Sequence, residues 1–269
     1  MPKIERTRVE FEGRVEEREI IVEEEGVEPW AEDARLSEVG HPSPRVDGAA
    51  RVTGQAVYTS DVGLPGQLAA RVLRSPHAHA RVRSINSSAA EALPGVYLVW
   101  HRDQPPPVAR FRGRELFPEE LAYQGAEVAL VVAADERTAE QAAAAVDVTY
   151  ERVPFVETLD AALAEGASAA LLGSEGNVIN PEGEVYERGD VEQGWAETDV
   201  TVALTFTTPN ASHSPLEPHG AVARWEGDEL TVWESTQGVF SVRNGLAEAL
   251  GLPYEKVRVI CDYMGGGFG

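Results

Sequence analysis

HSPLEPHGAVARWEGDELTVWESTQGVFSVRNGLAEALGLPYEKVRVICDYMGGGFG, residues 213–269, is the stretch that decides the fold. Residues 221–225 and 230–234 read as two strands joined by the turn sequence Glu226-Gly227-Asp228. Val239, Val242, Leu246 and Leu250 keep the spacing of one helix face, and Gly251 with Pro253 ends that helix. Val257, Val259 and Cys261 alternate as a last strand, which runs into Gly265-Gly266-Gly267-Phe268-Gly269. A glycine run directly after a strand normally feeds a helix and aims backbone N–H groups at an anion. No residues follow here to build that helix.

Upstream, Val200, Val202, Leu204 and Phe206 alternate with Thr and Ala, the pattern of a half-buried strand. Asp190 is placed to cap a short helix ending near Trp195. Residues 159–180 lose periodicity after Ala164 and accumulate small residues and glycine, the composition of a connector. Before them the order strand, helix, strand occurs twice. Residues 68–73 and 96–100 flank a helix with Ser88 as N-cap and Glu91 three residues on, stopped by Pro94-Gly95. Residues 128–133 precede the alanine-rich helix 138–146, capped by Asp135, after which Val146, Val148 and Tyr150 alternate. Both units imply an α+β domain with helices against one sheet face.

Residues 40–66 are dense in Gly, Pro, Asp and Ser and read as turns with short strands. Earlier still, Val9, Phe11, Gly13, Val15 and residues 20–22 suit an acidic hairpin. The repelling run Glu16, Glu17, Glu19 and Glu23 to Glu25 equally suits a solvated arm. The expected organisation is an acidic arm over 1–44, an α+β domain over 45–160, a connector over 161–185 and a final segment over 186–269.

The 269 residues carry 23 Lys+Arg against 45 Asp+Glu, a net charge of −22 that repels phosphate backbones and anionic lipid, so nucleic acid is not an expected ligand. With 43% hydrophobic and 25% charged residues the chain has the composition of a folded protein. The longest apolar stretch, 128–134, is far short of the roughly 20 residues that span a bilayer. The start lacks an apolar signal region, which makes the cytoplasm the expected address. Cys261 is the single cysteine, which excludes an internal disulfide and a Cys-ligated iron–sulfur or zinc site on this chain alone.

Two blocks carry a family resemblance. ARVTGQAVYTSDVGLPGQLAARVLRSPHAHARVRSI, residues 50–85, resembles the opening of the α/β-hammerhead domain in the molybdenum-binding subunit of the molybdenum hydroxylases. That group contains xanthine dehydrogenase, aldehyde oxidase and aerobic carbon monoxide dehydrogenase. Residues 213–269 are similar to the first part of the cofactor-binding domain that follows it. The resemblance covers about 45–269 and leaves out the acidic arm. It implies a molybdenum pyranopterin dinucleotide, in bacteria usually the cytosine form, and oxidation of a small-molecule substrate with oxygen from water. It further implies electron transfer to iron–sulfur (2Fe–2S) and FAD subunits.

Gln237 matches the glutamine whose amide donates to a molybdenum oxo ligand. Gly266, Gly267, Phe268 and Gly269 match the loop whose backbone amides approach the metal's oxygen ligands and the pterin. Side-chain-free N–H groups and a neutral amide approach an oxyanion without adding negative charge. The resemblance implies no residue of this chain as direct metal ligand or catalytic acid–base. Subunits of this family continue past the glycine loop, and the later part supplies further cofactor loops and the glutamate that activates the metal-bound hydroxyl. Either a second chain supplies that part or the sequence is a truncated product; the favoured expectation is a split subunit, inactive without a complementary chain.

Other polar residues have plainer readings. His77 and His79 at alternate positions suit a structural role in a sheet, since no carboxylate or cysteine nearby in sequence completes a ligand set. His213, Glu217 and His219, interrupted by Pro215 and Pro218, suit a fixed turn with satisfied polar groups. Glu217 also matches the glutamate of the family's Leu-Glu-Pro motif, a candidate for placing the second chain or the wall of the site. Cys261 reads as a small core residue, and Trp195, Trp225 and Trp233 as packing residues. Two rival readings remain: a noncatalytic scaffold that keeps the fold, and a free-standing module using the glycine nest for a phosphate-bearing ligand.

Overall fold

Residues 3–11, 14–22, 30–31, 33–111, 113–168, 176–178, 180–186 and 188–269 are described by the structure, a computed structural model. They divide into two units. One comprises Met1–Val62, Ser214–Glu248 and Leu252–Gly269; the other comprises Gly63–His213 and Ala249–Gly251.

In the first unit the N-terminal alternation forms a hairpin. β1 (Lys3–Phe11) pairs antiparallel with β2 (Arg14–Val22), from Lys3 opposite Val22 to Phe11 opposite Arg14. Arg6 lies opposite Glu19 and forms an ion pair with it at 3.0 Å, setting a cation against one of the crowded glutamates. Further on, α1 (Gly48–Val52) is a single turn, followed by a 3-10 turn at Thr59–Asp61. Asp61 accepts from the Tyr58 backbone N–H at 3.0 Å and so closes that turn.

The second unit holds the two strand–helix–strand repeats. β3 (Ala69–Arg74), β4 (Ala80–Asn86), α2 (Ser88–Glu91) and β5 (Val96–His101) come first. A small ribbon of β6 (Arg110–Phe111) and β7 (Arg114–Glu115) follows, then β8 (Glu120–Leu121) and β9 (Glu127–Ala133). α3 (Glu136–Ala145) and β10 (Asp147–Arg152) complete the repeat. Two antiparallel sheets result, ordered β3-β9-β5 and β10-β4-β8.

β9, EVALVVA, is nearly continuously apolar because it is the central strand of its sheet. Ala142 and Ala143 of α3 and Ala90 of α2 pack with Val99 and Val131, so both helices lie on this sheet. Val82, Leu121, Ala126 and Val128 form a second cluster. Leu73, Ile85 and Val148 touch both clusters and fuse them into one core. Asp135 caps α3 as expected, accepting from Thr138 N–H at 2.8 Å. The cap of α2 lies one residue earlier than expected, at Ser87, whose hydroxyl donates to Glu91. The Ser88 N–H is taken by the Asn86 side chain at the end of β4, which removes it from the cap position.

Beyond β10, the chain forms α4 (Leu159–Leu163) and α5 (Val191–Ala196), the latter capped by Asp190. Part of the connector, residues 169–175, lies outside the described residues. The strand expected over 200–206 is not formed, and all of those residues are exposed. A strand needs a neighbour to take its backbone hydrogen bonds, and among the described residues none lies beside it. Trp195 and Trp225 are also more than half exposed, against the expectation of packing residues.

The first unit resumes with β11 (Ala221–Glu226), β12 (Glu229–Glu234), α6 (Val239–Leu250) and β13 (Val257–Ile260). β11 and β12 form the expected hairpin, turned by Gly227 at φ 64°. β12 and β13 are parallel, Leu230 beside Val257 and Trp233 beside Ile260, with α6 as the crossover. Leu230, Val232, Ala247 and Val257 form its core, with Leu246, Leu252 and Val259 against them.

Candidate cofactor site

Three loops meet at one end of the β11-β12-β13 sheet, and the topology explains why. β12 and β13 run parallel, so the segment leaving β12 (235–238) and the segment leaving β13 (261–269) emerge at the same end. β11 runs the other way, so the segment entering it (215–220) arrives there too. In open sheets with parallel strands this carboxyl end is where ligands bind. α6 also starts there, with its positive N-terminus.

The three loops are tied together. Ser235 N–H donates to the Gly220 carbonyl at 3.2 Å. Glu217, only 6% exposed, accepts from Gly265 N–H at 2.7 Å with one carboxylate oxygen and from Ser235 O–H at 3.2 Å with the other. His219 Nε2 lies 2.9 Å from the Gly266 carbonyl and donates to it. Gly269 N–H donates to Gln237 Oε1 at 3.1 Å. A backbone N–H is met only by an acceptor, so this bond fixes the amide with its carbonyl inward and its NH2 turned away. The Gln237 amide nitrogen and the Gly266 and Gly267 N–H groups have no partner among the described residues.

The glycines are required by contact as well as by conformation. A Cβ on Gly265 would lie 2.8 Å from the Glu217 backbone nitrogen, and one on Gly267 would lie 2.5 Å from Gln237 Cγ. At Gly266, with φ 145°, a Cβ would meet the Phe268 ring at 2.8 Å, so the ring folds over a position that only glycine can fill. Phe268 has φ 61°, a strained value for an aromatic residue that the surrounding contacts must hold in place.

A second bracket supports the run into the loop. Arg51 donates to the Met264 carbonyl at 3.4 Å, to Tyr58 Oη at 3.0 Å and to Asp47 at 2.6 Å. Its guanidinium lies over the Tyr58 and Tyr263 rings. Hydrogen bonds from Arg45 and Arg51 hold the Asp47 carboxyl down at about 2. Burial pushes the Glu234 carboxyl above its ordinary range, at the end of β12.

The structure therefore brings Gln237, Gly266, Gly267, Phe268 and Gly269 into one place. Sequence reasoning left the task of Glu217 open and missed those of His219, Arg51 and Tyr263. The available signal for Glu217 was a carboxylate between two prolines, a residue type that enters a buried turn only when its oxygens are paired. His77 and His79 fall in the bend between β3 and β4 rather than on a strand. His79 is buried between Glu120 at 2.8 Å and the Pro154 carbonyl at 3.0 Å, and His77 stands edge-on to Tyr150. No group of three or more His, Cys, Asp or Glu residues able to hold a metal ion occurs among the described residues. No helix among them is long and apolar enough to cross a membrane.

A donor-rich, side-chain-free cradle at the end of parallel strands, in a chain that also holds an α+β unit of two packed sheets, is shaped to receive an oxygen-rich anionic group. Comparison with known proteins says which. Residues 53–154 match the family model "Aldehyde oxidase and xanthine dehydrogenase, a/b hammerhead domain", and residues 173–269 match "Molybdopterin cofactor-binding domain". The xanthine dehydrogenase molybdenum-binding subunit of Escherichia coli O157:H7 is 35% identical over 241 residues, covering 84% of this chain and 32% of its own length. The carbon monoxide dehydrogenase large chain of Afipia carboxidovorans is 32% identical over 266 residues, covering 90% and 33%. The crystal structure of quinoline 2-oxidoreductase from Pseudomonas putida 86 superposes with a TM-score of 0.72 at 33% identity, covering 84% of this chain and 30% of that one. The chain belongs to the family of molybdenum-binding hydroxylase subunits, with the hammerhead domain followed by cofactor-binding sequence. It spans about a third of the length of the relatives it matches.

Proposed function

We propose that this chain supplies one part of the molybdenum cofactor pocket of a hydroxylase that oxidises a small-molecule substrate with oxygen derived from water. Electrons then pass to 2Fe–2S and FAD subunits. The observation that carries the reading is the orientation of Gln237, whose carbonyl is taken by Gly269 while its NH2 is left to donate. The residues fit an oxygen-rich anionic group. The Gln237 NH2 and the Gly266 and Gly267 N–H groups are donors, Gly265, Gly266 and Gly267 admit no side chain, and the nearest buried carboxylate, Glu217, is already occupied by Gly265 and Ser235.

When bound, the molybdenum–pterin group supplies the oxygen-transfer and electron-accepting chemistry. Gln237 and the N–H groups of Gly266 and Gly267 would hold it. Donors fixed in advance need no reorganisation when negative charge develops beside them. Glu217 and His219 hold the loop at two peptides one apart, by the Gly265 N–H of the 264–265 peptide and the Gly266 carbonyl of the 266–267 peptide, which prevents those peptides from flipping. Phe268 places its ring against Gly266, where no side chain could be accommodated.

The same proposal takes the nucleotide to be the cytosine form and the compartment the cytoplasm. It keeps the arm, hammerhead, connector and first cofactor segment at 1–44, 45–160, 161–185 and 186–269. The test is to purify the tagged chain with its companions and measure molybdenum and pterin content. Stoichiometric metal that falls in a Gln237→Ala variant supports the reading. A complex with all companions but no molybdenum refutes it, and one whose activity ignores Gln237→Ala points instead to a scaffold.

A further inference from the structure

We infer that Arg51 is a positioning residue for the cofactor, gripping with Glu217 the two ends of a single peptide and so fixing where the Gly266 and Gly267 N–H groups point; this rests on the function proposed above. The Met264 carbonyl and the Gly265 N–H belong to one peptide unit. Arg51 donates to that carbonyl at 3.4 Å, and Glu217 accepts from that N–H at 2.7 Å. In a trans peptide the two groups point opposite ways, so the guanidinium and the carboxylate stand on opposite sides of it. Turning the peptide over would set its carbonyl against the carboxylate and its N–H against the guanidinium, which is unfavourable at both ends.

Glycine makes such a clamp necessary. Contacts around Gly265, Gly266 and Gly267 exclude a Cβ at each, yet a run of glycines has more backbone freedom than any other sequence. The next N–H groups along the chain inherit their direction from the 264–265 peptide, so holding that plane aims the donors beyond it.

Arg51 is itself held. Its Nε donates to Asp47 at 2.6 Å, and the nitrogen that reaches Met264 also donates to Tyr58 Oη at 3.0 Å. The guanidinium stands 5.6 and 5.4 Å from the centroids of the Tyr58 and Tyr263 rings. A planar fork serves Asp47 and Met264 at once, which the compact ammonium of a lysine does not. Arg51 lies outside both family-model matches, which cover 53–154 and 173–269.

The test reads amide exchange at Gly265 in the full chain, in a cycle of Arg51→Met, Glu217→Ala and the double variant. Arg51→Met is expected to speed exchange at Gly265 at least ~10-fold, although Arg51 does not touch that N–H. Glu217→Ala frees the N–H outright, so the double variant is expected to exchange within about 2-fold of Glu217→Ala alone. Effects that multiply, or no change in Arg51→Met, overturn the inference. Should Arg51→Met not fold, Arg51→Lys keeps a cation beside Asp47 and is expected to speed exchange at least ~3-fold; no change there overturns the inference equally. In the molybdenum-loaded hydroxylase the same variant is expected to lower kcat at least ~10-fold and leave KM within about 2-fold, since donors aimed at developing charge are disturbed and substrate contacts are not. A loaded enzyme whose kcat ignores the change overturns this inference and leaves the proposed function standing. Absence of molybdenum from the complex with all its companions overturns both.

Discussion

Replacing Glu217 by alanine removes an acceptor shared by two donors at the base of the glycine loop. Its carboxylate takes Gly265 N–H at 2.7 Å and Ser235 O–H at 3.2 Å, almost wholly out of water. A hydrogen bond to a charged group contributes about 1.5–3 kcal/mol, with the shorter of these bonds at the upper end and the longer at the lower. No longer burying a carboxylate offsets part of that sum, which leaves an expected loss of about 2–4 kcal/mol. Glutamine at the same position keeps both bonds, its carbonyl accepting from Gly265 and its NH2 donating to Ser235 Oγ. Glu217→Gln is therefore expected to cost no more than about 1 kcal/mol. Urea unfolding of the two variants measures the difference, and amide exchange at Gly265 reports the bond itself. If both variants lose under about 0.5 kcal/mol and exchange at Gly265 is unchanged, the carboxylate does not hold the loop and the reasoning is wrong.

Three further expectations concern other parts of the molecule. Gln237→Ala is expected to leave the stability of the chain within about 0.5 kcal/mol, because the side chain is exposed, and, if the function proposed above holds, to lower turnover of the hydroxylase by about 10²–10³-fold, read from steady-state kinetics. The Asp47 carboxyl sits at about 2 in the fold against 3.8 when unperturbed. A carboxyl depressed in the folded state adds stability that is complete above its unfolded value and lost as pH falls through its folded one. The difference in urea midpoint between the natural chain and Asp47→Asn is thus expected to be constant near neutrality, to shrink as pH drops below 3.8 and to vanish near 2. A difference that persists below that range contradicts the clamp. Leu121→Ala, at a fully buried position of the hammerhead core, costs about 2–5 kcal/mol in denaturant unfolding. A loss below about 1 kcal/mol would mean the core is not packed as described.

What could be read from the residues follows a physical dividing line. Elements whose signal is local emerged close to their observed limits: α6 from its apolar spacing and Gly251, α3 from Asp135 and its alanines, the β11–β12 hairpin from Gly227. Each depends on interactions among near neighbours in the chain. The segment over 200–206 has an equally strong local pattern and yet forms no strand, because a ladder needs a second backbone that local sequence does not specify. In the site, Gln237 and the glycines were visible through their resemblance to a family. The bonds that tie Glu217, His219 and Arg51 to residues 264–266 were not, since each of these joins residues 47 or more positions apart, and such distances close only once the sheet is assembled. Trp195 and Trp225 show the opposite error, large apolar residues assumed to be packed and found in water.

The side-by-side run of β12 and β13 does more than build a sheet. Val257 and Val259 pack inward only in the observed register, and a slip by one residue would turn both outward. The same slip would carry the glycine loop about 3.3 Å along the strand axis, beyond the reach of Glu217, His219 and Gln237 alike. Greasy side chains beneath the helix thus act as a gauge for polar atoms at the strand tips, and any mutation that loosens the former will miscalibrate the latter before the protein unfolds.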